Sequence, residues 1–201
     1  MKRLNTDILL VAYTNGFFPM PHPQTEEICW FNPDPRAIIP LDQFHVSRSL
    51  RRTLRKGVFT ATIDKDFAGV IAGCASREET WINREIREAY TQLHRDGYAH
   101  SLEVWHDDQL AGGVYGVALG GAFFAESKFH TVADASKAAL YFLVEHLRSN
   151  GFQLLEVQFL IPHLARLGAK EISAVEYHER LGKALKVKPD FSDFEQAKPP
   201  A

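Results

Sequence analysis

An α+β fold, a mixed sheet with helices packed on it, follows from three observations. Strand-like runs at 98–106, 110–118 and 121–127 succeed one another with almost nothing between them. Behind them Leu140, Leu143, Val144 and Leu147 repeat at i, i+3, i+4 and i+7, the stripe of an amphipathic helix. A further apolar run, 152–160, comes after that helix. Closely linked strands pair antiparallel, whereas a strand–helix–strand passage needs a crossover, so the sheet is mixed.

In chain order, residues 6–15 read as a short helix with Ile8, Leu9, Val11 and Ala12 on its apolar side and Gly16 as its stop. Residues 16–44 hold six of the ten prolines and read as an extended, turn-rich segment. Ser47 caps a helix over 47–56, with Gly57 past its end. A longer helix is predicted over about 78–95, stopped by Gly97. Asp107-Asp108 joins the first two strands in a tight turn, and Gly112-Gly113 reads as another. Thr131-x-x-Asp134 has the form of a capping box opening the leucine-striped helix, and Gly151 ends that helix. Ser173-x-x-Glu176 caps a last helix to about 185. The chain therefore divides into a small N-terminal segment (1–35), a main domain (36–187) and a polar, Pro-ended, loose tail (188–201).

The 201 residues, 45% hydrophobic and 24% charged, suit an ordinary soluble globular chain that builds a core without staples. Cys29 and Cys74 have neither metal-ligand spacing nor a disulfide framework, which fits a reduced, cytoplasmic compartment. The start, Met-Lys-Arg-Leu-Asn-Thr-Asp, lacks a signal-peptide apolar region, and no run has membrane-spanning length. A net charge of −2 argues against a general nucleic-acid coat, so any RNA contact is local. Nine histidines form no HExxH and no Cys/His set, so no metal is expected, and no Gly-x-Ser-x-Gly elbow supports a hydrolase.

Chemistry concentrates in the second half. Glu126 closes one apolar run, and Glu156 and Gln158 stand two apart in the next, on one face of a regular strand. Such groups in buried strands are costly unless a ligand or partner satisfies them; in an exposed strand they would be plain surface. Glu126 also suits an ion pair with Lys128 or Lys137. The helix at 47–56 carries Arg48, Arg51, Arg52, Arg55 and Lys56 with no acid, opposite Leu50 and Leu54: a solvated face, or a phosphate-binding one.

An ordered set of motifs accompanies these residues: Gly16-Phe17-Phe18-Pro19-Met20, Trp30-Phe31-Asn32-Pro33-Asp34-Pro35-Arg36, His45-Val46-Ser47-Arg48-Ser49-Leu50, Thr80-Trp81-Ile82, His100-Ser101-Leu102-Glu103-Val104-Trp105, Gly112-Gly113-Val114-Tyr115-Gly116, Glu126-Ser127-Lys128-Phe129, Ala135-Ser136-Lys137 and Glu156-Val157-Gln158-Phe159. Over roughly residues 8–182 this order resembles the leucyl/phenylalanyl-tRNA–protein transferase family. The resemblance implies an acetyltransferase (GNAT)-type domain behind a shortened N-terminal domain. It implies transfer of Leu or Phe from charged tRNA to the N-terminal α-amine of proteins beginning with Arg or Lys, with no cofactor.

By the same resemblance Gln158 positions the amine, Glu156 orients Gln158 and takes up the proton, and Glu126 holds the incoming ammonium or basic side chain. Val114, Phe123, Leu140, Leu143 and Leu155 shape the donor cavity, Ser127 and Lys128 stand on its wall, and Trp30 and Trp81 lie near the terminal adenosine. The apolar members of that set serve equally as ordinary core. His163 is expected to be structural. Two positions depart from the family: Glu156 where aspartate is usual, and Lys128 where methionine is usual. The Lys128 stem can line the cavity with its head in solvent, the head can pair with Glu126, or the cavity is retuned for a polar donor.

The sequence speaks against two rival functions. An acyl-CoA N-acyltransferase needs a glycine-rich pyrophosphate loop, yet 128–134 contains no glycine. A non-catalytic module that recognises N-terminal residues has no use for Trp30, Gln158 or the basic helix.

Overall fold

The computed structural model describes residues 4–77 and 80–200. Helix α1 (Thr6–Thr14) starts at Asn5, whose side chain accepts from Ile8 N–H. The proline-rich stretch then folds into a hairpin, β1 (Phe18–Pro21) with β2 (Ile28–Phe31), followed by the short β3 (Arg36–Ile38). The basic helix α2 (Arg48–Arg55) is capped by Ser47, and β4 (Thr60–Ile63) and α3 (Phe67–Ala75) come next. Helix α4 (Arg84–Arg95) begins later than the periodicity predicts, because the Asn83 side chain caps the Ile86 N–H; positions 78–79 of that predicted helix lie outside the described residues.

Strands β5 (Ala99–His106) and β6 (Gln109–Leu119) are joined by Asp107 and Asp108, both at positive φ, the two-residue turn that matches strand twist. Strand β7 (Ala122–His130) leads into α5 (Ala135–Ser149), then β8 (Leu154–Glu156), α6 (Pro162–Ala165), β9 (Lys170–Ile172) and α7 (Ala174–Ala184). Ser173 caps α7 through the Glu176 N–H, as predicted.

The main sheet has the order β4-β5-β6-β7-β8-β3-β9. Its β7–β8 pair is parallel, made by the α5 crossover, and the other pairs are antiparallel, so the mixed α+β reading holds. One face is covered by α2 and α5 around Leu50, Leu54, Leu140 and Leu143. The other carries α1, α3, α4 and α7 around Leu9, Val70, Ile86 and Tyr177.

Four local expectations change. Asp134 occupies the N-cap position of α5 at φ 66 but makes no capping bond. Its carboxylate takes Lys137 Nζ at 2.6 Å and Thr53 Oγ1 at 3.1 Å instead, while Thr131 donates to the Ala111 carbonyl. Gly112 and Gly113 lie inside β6 rather than in a turn; a Cβ there would press on Ala135 of α5 and Val70 of α3 respectively. The strand predicted over 152–160 ends at Glu156. The tail is not loose: Phe191 is buried and stacks on Phe123 and His100, and Tyr141 Oη donates to the Lys198 carbonyl.

Candidate active site

Strands β7 and β8 run side by side from Ala122↔Leu154 to Phe124↔Glu156 and then part. Past that point β7 continues to His130, while the other chain turns away at Gln158. A cavity of about 230 Å³ opens in the gap, lined by Glu126, Lys128 and Gln158 and by apolar groups including Val114, Leu140 and Leu164. Ligands of open sheets with parallel strands bind beyond the strands' carboxyl ends for this reason.

Glu126 reaches the cavity through a bulge. Tyr115 pairs with Ser127 and Gly116 with Ala125, so Glu126 is an extra residue in β7 with no partner on β6. Gly116 makes the bulge possible, since a Cβ there would fall onto the Phe124 carbonyl and the Phe123 ring. Glu126 Oε1 accepts Tyr13 Oη at 2.7 Å and Gln158 Nε2 at 3.2 Å; Oε2 accepts Tyr90 Oη at 3.2 Å; and the two phenols bond each other. Burial pushes its pKa up to about 8; the Tyr13 bond works against that, and the charge of Glu156 adds to it. The expected free carboxylate for an incoming ammonium is therefore engaged on both oxygens. The expected ion pairs with Lys128 or Lys137 do not form: Lys137 pairs with Asp134, and Lys128 makes no ion pair among the described residues.

Gln158 and Glu156 do not share a strand face. Gln158 sits at φ 57, and Phe159 N–H reaches back to the Val157 carbonyl at 2.7 Å, a γ-turn of the uncommon positive-φ kind. Backbone in that region is strained and persists only where the surroundings hold it. The holders are Ala37 N–H on the Gln158 carbonyl, Gln158 Nε2 on Glu126, and Gln158 N–H on Glu156 Oε1 at 2.8 Å. Glu156 is 1% exposed and stands behind Gln158 rather than in the cavity wall. Arg36 Nε lies 3.7 Å from it, and burial still raises the Glu156 pKa to about 7 against that cation and the Gln158 N–H.

Of the predicted donor-pocket residues, Val114, Leu140, Ser127, Lys128 and Trp81 line the cavity. Phe123, Leu143 and Leu155 do not; they are sealed in the core under α5. Trp81 also borders a second cavity of about 580 Å³ that includes Met20, His22, Pro23 and Ile82. Trp30, on β2, is 39% exposed and lines neither space; Met20 stands beside Trp81 instead. Sequence reasoning missed Arg77, Phe159 and Leu164 in the wall and Tyr13, Tyr90 and Arg36 behind it. Arg48, Arg51, Arg52, Arg55 and Lys56 are all exposed on α2 and line one shallow groove. None of the ion pairs among the described residues involves them, so the stripe keeps its charge unneutralised by acids.

A held amide, two buried carboxyls and an apolar wall are groups that can orient reactants and move a proton, as group transfer requires. Comparison gives the group. The leucyl/phenylalanyl-tRNA protein transferase family model matches residues 38–182, and the model of that family's N-terminal domain matches 2–34. The leucyl/phenylalanyl-tRNA–protein transferase of Ruegeria sp. (strain TM1040) is 54% identical over 189 residues, 94% of this chain and 90% of its own. That of Herpetosiphon aurantiacus is 50% identical over 191 residues, 94% of this chain and 99% of its own. The chain belongs to the leucyl/phenylalanyl-tRNA–protein transferase family and is an aminoacyltransferase. The solved structure of L-PGS from Bacillus licheniformis is similar at a TM-score of 0.43 and 11% identity, over 81% of this chain and 56% of its own.

Proposed function

We propose that this chain carries Leu or Phe from charged tRNA to the N-terminal amine of proteins that begin with Arg or Lys, marking them for degradation in the cytoplasm. The observation that carries the reading is Gln158, clamped between Glu126 and Glu156 at the base of a cavity with apolar walls. At about 230 Å³ the cavity is smaller than the roughly 300–1,000 Å³ of drug-sized sites, a scale suited to one amino-acid side chain.

An aminoacyl ester is already activated, so alignment carries most of the rate. The α-amine, with a pKa of about 7.7–8.0, is partly neutral near pH 7. The Gln158 carbonyl accepts from that amine while its amide stays on Glu126. Glu156 fixes the γ-turn that aims Gln158. The ribose and base of the terminal adenosine lie in the larger cavity against Trp81 and Met20, and the acceptor-stem phosphates lie along α2. The parting of β7 and β8 after the α5 crossover supports a GNAT-type relationship for the main sheet.

The test mixes the protein with tRNA charged with each amino acid in turn and with peptides beginning with Arg, Lys, Asp or Ala. Mass spectrometry should find one added Leu or Phe on the Arg and Lys peptides. Modification supported by acetyl-CoA and not by charged tRNA would overturn the reading.

A further inference from the structure

Two phenols and one carboxyl group meet inside the protein, and their protons can be counted. Tyr13 Oη faces Glu126 Oε1 at 2.7 Å, Tyr90 Oη faces Glu126 Oε2 at 3.2 Å, and Tyr13 and Tyr90 bond each other through their hydroxyls. Three hydrogen bonds need three protons, and the phenols supply two. Tyr115, the next phenol along, makes no side-chain hydrogen bond among the described residues and adds none. With Glu126 ionised, one of the three oxygen pairs has no proton between its members. With Glu126 neutral the circle closes once the bond at Oε2 reverses: Oε2–H donates to Tyr90, Tyr90 to Tyr13, and Tyr13 to Oε1.

On the aminoacyl-transfer reading given above, we propose that Glu126 rests as the neutral acid of this ring and gives its proton to the 3′ oxygen of the departing tRNA. The amine nitrogen attacks the ester carbon, the C–N bond forms and the C–O3′ bond breaks. The Glu126 proton goes to O3′, and the proton shed by the new amide nitrogen returns to Glu126, so the group ends as it began. No other reagent is consumed.

The surroundings favour the neutral resting form. Glu126 is 8% exposed, and Glu156 on β8 adds a like charge, partly offset by Arg36 on β3. The phenols come from α1, α4 and β6, and the cations Arg77 and Lys128 stand along the cavity wall. Burial also raises the pKa of all three phenols, so none of them takes the proton's place as an anion. A cationic acceptor entering beside Glu126 would favour its ionised form and push the proton outward at the moment it is needed.

Glu126→Gln keeps the ring, since its amide donates to Tyr90 and its carbonyl accepts from Tyr13, but it has no proton to give. Infrared spectra of the free protein at pH 7 should contain a neutral-carboxyl band that is absent from Glu126→Gln. That readout needs no activity, so it stands apart from any failure of the transfer reaction. In the transfer assay, Glu126→Gln should lose about 100-fold in kcat with little change in KM. It should also lose the alkaline fall expected in the wild type's kcat/KM near pH 8, and Tyr90→Phe should move that fall to another pH. No band difference at pH 7, or a Glu126→Gln protein that keeps kcat and loses only KM, would overturn the proposal.

Discussion

Arg36 Nε stands 3.7 Å from Glu156 Oε1 with both side chains sealed from solvent, and no hydrogen bond joins that nitrogen to any partner among the described residues. The guanidinium is held otherwise: it donates to the Gly16 carbonyl and to Asn32, and it lies over the Tyr177 ring at 4.3 Å and the Phe18 ring at 5.1 Å. The cation thereby fastens the N-terminal hairpin to the floor of the site. Above about pH 7, where Glu156 is ionised, removing it strands a buried carboxylate, a loss of about 3–5 kcal/mol. Arg36→Met should lower the urea midpoint sharply, and adding Glu156→Gln should restore part of the loss. The expected coupling is about 1–3 kcal/mol. Additive effects of the two changes would mean the pair does not interact.

The two raised carboxyls set how stability depends on pH. Burial takes Glu126 to about 8 and Glu156 to about 7, whereas an unfolded glutamate titrates near 4.3. Between those values the folded protein holds protons that the unfolded chain has lost, so stability falls as pH rises. The contribution is complete below about pH 4 and is lost as pH climbs through 7 and then 8, on the order of a few kcal/mol. Urea titrations from pH 5 to 9 should show this decline, and Glu126→Gln with Glu156→Gln should flatten it. A wild-type curve that rises over the same interval would contradict buried neutral carboxyls.

Gln158 is predicted to act on the rate rather than on tRNA affinity. Gln158→Ala removes the amide that bonds Glu126 and faces the cavity, and it should lower turnover at least about tenfold, around 1.4 kcal/mol of transition-state stabilisation. Binding of charged tRNA should change little. Wild-type turnover in this variant would take Gln158 out of the mechanism.

The basic helix gives a salt experiment. Neutralising Arg51, Arg52 and Arg55 together should weaken binding of different tRNAs about equally. The dependence of affinity on salt should flatten, by about one unit of slope for each phosphate that no longer meets a cation. Leu50 and Leu54 anchor the helix from the other side, so the fold should survive the change. An unaltered slope would return the stripe to plain surface.

What could be read from the sequence followed from how local each feature is. The central strands, α5 and the Ser173 cap depend on periods and caps within a few residues, and they stand where the pattern put them. The aim of Glu126 does not, because its bulge is set by the register against Gly116 on another strand. Gln158 sits in an apolar stretch that reads as continuous strand, and its turn depends on holders from β3 and β7. Tyr13 and Tyr90 look like core residues on two helices; only packing brings their hydroxyls together across 77 positions. Strands β3 and β9 have three residues each, too short to show a period, and Phe191 is a lone aromatic in a polar tail.

Lys128 is the residue on which donor specificity turns. It lines the cavity next to Glu126 yet makes no ion pair with it, because Tyr13, Tyr90 and Gln158 already occupy that carboxyl. Burial lowers the pKa of its ammonium, and the like charge of Arg77 on the same wall lowers it further. The stem then serves as apolar lining with Val114 and Leu140, while the head bears a desolvation cost that no ion pair among the described residues offsets. Methionine has nearly the same reach and no charge, so Lys128→Met should keep Leu and Phe as donors and change their rates only a few-fold. Its urea midpoint should rise, since a poorly solvated charge is gone. Weaker tRNA binding in this variant, with donors unchanged, would place the head against a phosphate. A variant that transfers Leu where the wild type does not would mean that the cation had tuned the cavity to a different aminoacyl group.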